Sequence, residues 1–530
     1  MISTGRTCPM EHNSGARLRN VAVALLAMAT ACAPPAADDP RTLIVNARVI
    51  DGAGGPSQQV DVSIEGERIT VIGNLSPRPH DTVVDAKGLT LAPGFIDPHS
   101  HHDRGLIDEM REALALVSQG TTTIVAGQDG GQQFPLAELF EGLEDTPVAV
   151  NVASYAGHGV IRRRVMGEDY MRPSTPEEML QMEALLRTEM ESGALGLGTG
   201  LEYDPGSFST PEEVVALARV AAGYGGRYIS HFRSEDQYFW EALNEIISIG
   251  REAGLPVQVS HIKLAMPRWW GQTERLVGIL DEARASGVDI TVDIYPYRAW
   301  QTGFRWLLTV FPDRDPESRE GAEYVLQEML SPEGVLLANY PAQSEYNGMT
   351  VAEIAEQRGA DPTTTLMSLL RDDVEFAQQG GEAARSSMLG FAMDEPDIEA
   401  IMKWSRTVIG SDGGLAGAHP RGYGTFTRFL GHYVRDRGVM SLEEGVHRIT
   451  ALTARNLGLV DRGTIEAGAY ADLVLFDPDT IIDRATFVEP HLTSVGIDTV
   501  WVNGQIVYEN GKTTDNRPGI PLRRATGVGE

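Results

Sequence analysis

The chain has 530 residues, 42% of them hydrophobic, with 74 acidic against 44 basic side chains and a formal charge of −30. That length accommodates a large catalytic domain plus a smaller one, and so acidic a protein is a poor match for nucleic acid or an anionic lipid surface as its main partner. Both cysteines, Cys8 and Cys32, lie near the start, so the body of the protein has no thiol for a disulfide, a cysteine cluster or a nucleophile, and any metal there must use histidine and carboxylate ligands.

Arg17 and Arg19 precede the apolar run Val21–Ala29, which is followed by Thr30-Ala31-Cys32 and then Pro34 and Pro35. Residues 1–31 are read as a signal peptide, because the apolar run is shorter than the ~20 residues a membrane span needs. Two cleavage patterns fit. Ala31-Cys32 is similar to a lipoprotein site, whereas Ala29-Thr30-Ala31 suits an ordinary signal peptidase. The expected location is the periplasm or cell envelope, with membrane contact only through a lipid on Cys32. Residues 32–41 then form a tether.

From 42 to 90 the runs Leu43–Ile50, Val60–Ile64 and Ile69–Ile72 alternate with Asp-Gly, Gly-Gly and Glu-Gly turns, the pattern of antiparallel strands. The same texture returns at Ala471–Phe476 and Thr499–Val507. A small β-sandwich assembled from 42–90 and 457–530 is expected.

Between them, over 91–456, short apolar runs alternate with amphipathic stretches at 177–192, 211–223, 239–253 and 273–286. Candidate strands are Leu91–Ile96, Thr122–Ala126, Val148–Ser154, Ala194–Thr199, Tyr228–Ser230, Val257–Ser260, Ile290–Ile294 and Val408–Gly410, the eight that a (β/α)8 TIM-like barrel requires. The gap at about 301–406 is too long for one connection and predicts a helical insertion, with pieces near Ala322–Leu330, Val351–Arg358 and Thr363–Arg371.

In such a barrel chemistry collects at the C-terminal strand ends. There the chain places His99 and His101, Asp129, His158, Glu202 and Tyr203, His231, His261 and Lys263, Tyr295 and Asp412, in strand order. His99 and His101 can face one cation, since residues two apart on a strand share a face. Each residue also has an ordinary role open to it, Asp412 as a helix cap and His231 as a buried hydrogen-bonded histidine, but their shared position argues for a site.

Ala92-Pro93-Gly94-Phe95-Ile96-Asp97-Pro98-His99-Ser100-His101, Gly157-His158-Gly159, Gly198-Thr199-Gly200-Leu201-Glu202-Tyr203, His231-Phe232-Arg233-Ser234-Glu235, Ser260-His261-Ile262-Lys263, Ser411-Asp412-Gly413 and His419-Pro420-Arg421-Gly422 together resemble the amidohydrolase superfamily, and within it the N-acyl-D-amino-acid deacylase (D-aminoacylase) family. The resemblance implies a zinc enzyme with one or two ions. His99, His101 and Asp412 would surround one position, and His231 and His261 would bind the second. It also implies that Tyr203, Lys263, Arg421 and Tyr295 hold the free carboxylate of a small substrate. One departure stands out: where family members carry Gly-Asn-Cys-Gly with a ligating cysteine, this chain reads Gly127-Gln128-Asp129-Gly130. Asp129 either takes over as ligand or bridge, or only shapes an Asp-Gly turn.

The implied chemistry is hydrolysis of the amide bond of N-acyl-D-amino acids, or of peptides containing a D-residue, by a metal-bound hydroxide, with Asp412 as proton shuttle and His158 helping to stabilise the oxyanion. After Tyr295-Pro296-Tyr297 the family continues with small residues, whereas this chain has Arg298-Ala299-Trp300-Gln301. Arg298 would favour an acidic substituent and Trp300 an apolar one, and both stay open. Cyclic-amide or lactone hydrolysis of the hydantoinase or dihydroorotase kind is an alternative, opposed by the lack of a lysine after strand four. A catalytically silent envelope binding protein is a third reading, opposed by the near-complete ligand set.

Overall fold

Gly94 divides the first apolar run between two sheets. On its N-terminal side Thr90–Pro93 pairs antiparallel with Leu473–Phe476 and parallel with Arg48–Val49; on its C-terminal side Phe95–Asp97 pairs parallel with Thr121–Ala126. The expected single strand Leu91–Ile96 is therefore corrected to two. The cause is local: a Cβ on Gly94 would lie 2.2 Å from Thr122 Oγ1, so only glycine lets the chain pass the neighbouring strand at this distance.

The computed structural model describes residues 41–107, 110–380 and 385–525. The expected signal peptide, and the tether with Cys32 except for its last residue Arg41, lie outside the described residues. Among the described residues no helix is long and apolar enough to cross a membrane.

The parallel strands are β1 (Phe95–Asp97), β2 (Thr121–Ala126), β3 (Asn151–Ser154, resumed at Ala156–Gly157), β4 (Gly196–Gly200), β5 (Arg227–His231), β6 (Val257–Val259), β7 (Ile290–Ile294) and β8 (Thr407–Ile409). Each pairs in parallel with the next in chain order. β2, β4 and β7 are buried along their whole length, as expected of strands covered on both faces. Ile96, Val125, Ala153, Tyr155 and Ile229 bring side chains from β1, β2, β3 and β5 into one buried cluster.

The connecting helices follow their sequence signals closely. Pro176–Glu191 begins with a Thr175/Glu178 capping box and Pro211–Gly223 with Thr210 as cap, each with proline at its first position. Phe239–Ala253 buries Phe239, Leu243, Ile246, Ile247 and Gly250 on one face and stops at Gly254 in the left-handed conformation.

The ends of β1 and β8 are tied together. Buried Asp97 accepts hydrogen bonds from the Ser411 amide (2.9 Å) and hydroxyl (2.5 Å) and from the His99 amide (3.3 Å). The Asp412 amide donates to the His99 carbonyl, and the His101 amide to that of Gly413, each at 2.8 Å. Burial raises the Asp97 carboxyl to about 7 even against these donors, so the group is kept for its geometry at an electrostatic cost.

Sequence-distant segments share a seven-stranded sheet, in which Leu473–Phe476, Ile497–Val502 and Gln505–Glu509 continue from Thr90–Pro93. Ile44, Val62, Ile64, Ile69, Leu473, Leu475 and Trp501 are packed in one cluster between this sheet and a four-stranded one built from residues 42–85.

The insertion is not purely helical, which corrects that expectation. It contains helices Val351–Arg358 and Pro362–Gln378, but also an antiparallel sheet of Ala299–Gly303, Ser387–Phe391 and Val335–Asn339. Its outer strands are joined through Ser387–Phe391, far along the chain, and no local hairpin turn signals that pairing.

Replacing Gly94 by alanine is expected to destabilise the protein by about 1–3 kcal/mol through overpacking against Thr122. Thermal unfolding checks this, and the Gly94→Ala/Thr122→Gly double variant should recover part of the loss.

Candidate metal centre and substrate cavity

The end of β5 and the loops leaving β1, β2, β6 and β8 deliver six side chains to one place. His99, His101, Asp129 and Asp412 can converge on one ion, and Asp129, His231 and His261 on another. Asp129 is common to both sets. Its Oδ1 lies 3.6 Å from His99 Nε2 and 3.7 Å from His261 Nε2, while its Oδ2 lies 3.2 Å from His101 Nε2. Asp412 Oδ1 is 3.6 Å from His99 Nε2 and 3.3 Å from His101 Nε2. His231 Nδ1 and His261 Nε2 face each other at 3.0 Å.

The backbone is held under strain to achieve this. Asp129 (φ 53°), His261 (φ 32°) and Asp412 (φ 47°) all adopt positive φ, a region costly for residues with a Cβ and concentrated at functional sites.

The cluster suits a divalent cation on its own chemistry. His99 Nε2 and Asp129 Oδ1 are buried without hydrogen-bond partners, a costly state that ligation would relieve. Burial disfavours the His101 imidazolium, yet Asp129 and Asp412 outweigh burial and carry it up to about 9. His99 is likewise raised, burial being overcome by Asp293 and Asp129. Burial pushes Asp129 upward, but the surrounding imidazoles hold it well below the usual carboxylate range. The cluster thus favours positive charge beside its two carboxylates, a demand that a bound cation would meet.

Behind the histidines stand carboxylates that orient them. Glu202 Oε2 lies 2.8 Å from His231 Nε2, leaving Nδ1 to face the cluster; Glu235 Oε1 lies 3.0 Å from His261 Nδ1; and Asp293 Oδ1 lies 3.4 Å from His99 Nδ1. Glu202 and Glu235 stand inside sequence motifs, but nothing local to them shows this task. Asp293 escaped the sequence reading altogether, although a carboxylate inside the apolar strand β7 was a usable signal.

A cavity opens beside the cluster. Glu235, Lys263, Tyr295 and Asp412 are among its walls, and Tyr203, also in the lining, packs its ring 4.4 Å from that of His231. Lys263 Nζ is 2.5 Å from Glu235 Oε1 and 2.9 Å from His261 Nδ1. Buried Tyr295 has a hydroxyl without a partner. Arg421 reaches this group from behind, with Nη1 2.7 Å from Asp412 Oδ2 and its guanidinium 4.8 Å from the Tyr295 ring centre. Burial would raise the Asp412 carboxyl, but Arg421 and the histidines hold it far below its ordinary value. His419 Nδ1 accepts from the Arg421 amide at 3.0 Å and so fixes where that side chain starts.

His158 does not join this site, which corrects the oxyanion role expected of it. It does not line the cavity; its imidazole is fully buried with Nε2 2.9 Å from Glu213 Oε1, and Arg162 pairs with the other oxygen of the same carboxylate. His158 opens the helix His158–Met166, so its side chain turns toward the packed helix layer instead of the cluster. Arg298 is exposed, its Nε donating to the Met393 carbonyl, whereas Trp300 lines the cavity.

Known proteins resemble this chain over most of its length. Residues 82–508 match the model of the amidohydrolase family. The chain is 36% identical to N-acyl-D-glutamate deacylase from Alcaligenes xylosoxydans xylosoxydans over 91% of its own length and 96% of the relative's, and 35% identical to D-aminoacylase from the same organism over 91% and 97%. A crystal structure of N-acyl-D-glutamate deacylase from Bordetella bronchiseptica, complexed with zinc and a phosphonate inhibitor that mimics the tetrahedral intermediate, superposes with a TM-score of 0.79 at 34% identity, covering 91% of this chain and 99% of that one. The chain therefore belongs to the amidohydrolase family.

Proposed function

We propose that this protein is a zinc-dependent hydrolase that cleaves the amide bond of N-acyl-D-amino acids carrying uncharged, apolar side chains. The observation that carries the reading is the placement of one carboxylate, Asp412, between a histidine–aspartate cluster and a cavity walled by Lys263 and Tyr295, with Arg421 on its far oxygen. The named relatives support the reaction class.

His99, His101 and Asp412 would hold one ion, and Asp129, His231 and His261 a second, with Asp129 shared between them. When bound, zinc supplies Lewis acidity that polarises a carbonyl and makes a nearby water a stronger nucleophile. Asp412 takes the proton released by the attacking water and returns it to the leaving amine. Tyr295, Lys263 and Arg421 bind the substrate carboxylate, Arg421 as a fork and Lys263 as a point charge. Arg421 in its present position keeps Asp412 a weak base; when a substrate carboxylate draws the guanidinium away, Asp412 regains proton affinity next to the scissile bond.

The side-chain preference follows from the cavity wall. Trp300, Trp306, Met266 and Met329 line it, and the Trp300 and Trp306 rings meet edge to face at 5.6 Å. Gly390 makes room for this wall, since a Cβ there would lie 2.4 Å from the Trp300 ring. Lys263 is the single cation among the lining residues, which also include Glu202, Glu235 and Asp236. A second substrate carboxylate would be desolvated there without a partner.

We further propose that β1 to β8 close into a (β/α)8 barrel, a reading supported by the backbone hydrogen bonds between the β1 and β8 ends. The insertion at 301–406 would wall the cavity, and the segments 42–90 and 457–530 would form one β-sandwich domain. Export to the cell envelope is supported by the basic and apolar start of the chain, and a lipid anchor by Ala31-Cys32.

The Asp412→Asn variant should keep its fold and most of its zinc while kcat/KM falls by at least ~1000-fold, about 4 kcal/mol of transition-state stabilisation; steady-state kinetics with metal analysis checks this, and near-normal turnover would remove Asp412 as proton carrier. In a substrate panel, N-acetyl-D-leucine, D-methionine and D-phenylalanine should exceed N-acetyl-D-glutamate by at least ~10-fold in kcat/KM, while a preference for glutamate or for cyclic amides would overturn the assignment. Asp129→Ala should lower zinc content and activity together; unchanged stoichiometry would reduce Asp129 to a turn residue.

A further inference from the structure

A second cavity, of about 330 Å³, lies at the opposite ends of the strands from the metal cluster. Most of its residues come from the starts of the parallel strands and from the helices Thr273–Ala285 and Ala451–Leu457: Arg227 opens β5, Asp289 immediately precedes β7, and Arg406 immediately precedes β8. Arg284 and Arg455 complete a ring of four guanidinium groups against the one carboxylate of Asp289. In a chain of net charge −30 this is a local reversal of sign.

The partners of these cations are unevenly shared. Arg284 is engaged, with Nη1 2.9 Å from Asp289 Oδ1 and 2.8 Å from the Ile290 carbonyl, and Arg227 Nη2 donates to the Arg455 carbonyl at 3.3 Å. The Arg406 and Arg455 side chains have no hydrogen bond or ion pair among the described residues. Burial and the adjacent charges of Arg284 and Arg455 make the Arg406 cation less favourable than usual, so the ring is held together against its own repulsion. Two further donors belong to the same walls. Asn456 Nδ2 is buried without a partner, and Tyr155, only 1% exposed, has a hydroxyl with no hydrogen-bond partner among the described residues.

Unpaired guanidinium groups, a buried amide N–H and a tyrosine hydroxyl around one hollow form a set of donors whose only local carboxylate is already neutralised. Apolar or cationic ligands would displace water from those donors without replacing its hydrogen bonds, and a single carboxylate would use only part of the charge. Arginine forks match the geometry of a tetrahedral, multiply charged oxyanion. We propose that this cavity is a binding site for a small phosphate-class oxyanion, separate from the hydrolytic centre.

Isothermal titration of the zinc-loaded protein with inorganic phosphate, pyrophosphate and citrate at constant ionic strength tests this, alongside the Arg406→Gln/Arg455→Gln variant. Saturable phosphate or pyrophosphate binding, weakened at least ~10-fold in the double variant with hydrolytic activity unchanged, is the expected result. The variant should also melt no lower than the parent in phosphate-free buffer, because it loses like-charge repulsion, and it should lose the gain in melting temperature that phosphate gives the parent. If the double variant does not fold, Arg455→Gln alone, at an exposed position, should weaken binding at least ~3-fold. Binding that survives the substitutions would place the anion elsewhere, the metal cluster included, and overturn the proposal. So would citrate binding without phosphate binding, no binding of either phosphate, or a lower melting point of the variant in phosphate-free buffer.

Discussion

A carboxylate largely withdrawn from solvent among imidazoles has to be balanced by positive charge, and Asp129 sets that condition for the whole centre. Its two oxygens face His99, His101 and His261, and it belongs to both candidate ligand sets. Protons on the histidines meet the condition in one way and divalent cations in another, which couples the ionisation of the histidines to metal occupancy. Carboxylate oxygen is a harder ligand than the thiolate that the resemblance leads one to expect, so a metal site built around Asp129 would trade thiolate affinity for an oxygen donor common to both candidate ligand sets.

The rest of the molecule works to hold this cluster in register. Asp97 ties the end of β1 to Ser411 at the end of β8, and the same segments exchange backbone hydrogen bonds across Asp412 and Gly413. Glu202, Glu235 and Asp293 orient individual rings from behind. Positive φ at Asp129, His261 and Asp412 shows that this frame overrides local backbone preference at three residues of the cluster. In the proposed function Arg421 would link the cluster to substrate recognition, because the group that would grip a carboxylate is also the countercharge of the proposed proton carrier.

Legibility in the sequence followed the range of the interaction. The helices Pro176–Glu191, Pro211–Gly223 and Phe239–Ala253 lie within a residue of their expected bounds, since caps, proline at the first turn and apolar periodicity are local signals. The sheet within the insertion was missed because Ala299–Gly303 meets a partner almost ninety positions later. The split of Leu91–Ile96 at Gly94 was missed for the same reason: the glycine is required by Thr122 on a neighbouring strand, and glycine alone does not announce which neighbour it serves. His158 stands at a strand end like the others, yet its helix carries it to Glu213 and Arg162.

The sequence by itself determined the alternation of strand and helix, the confinement of thiols to the start of the chain, and the histidines and carboxylates that follow successive apolar runs, because each depends on residue type and short spacing. Only the tertiary structure decided which of them share a site. It joined Asp129 to both ligand sets, set Arg421 against Asp412, turned Trp300 into the cavity and Arg298 out of it, and gathered Arg227, Arg284, Arg406 and Arg455 at the far strand ends. Those choices rest on distances between residues far apart in the chain, set by strand register and close packing across the sheet, and no local pattern encodes them.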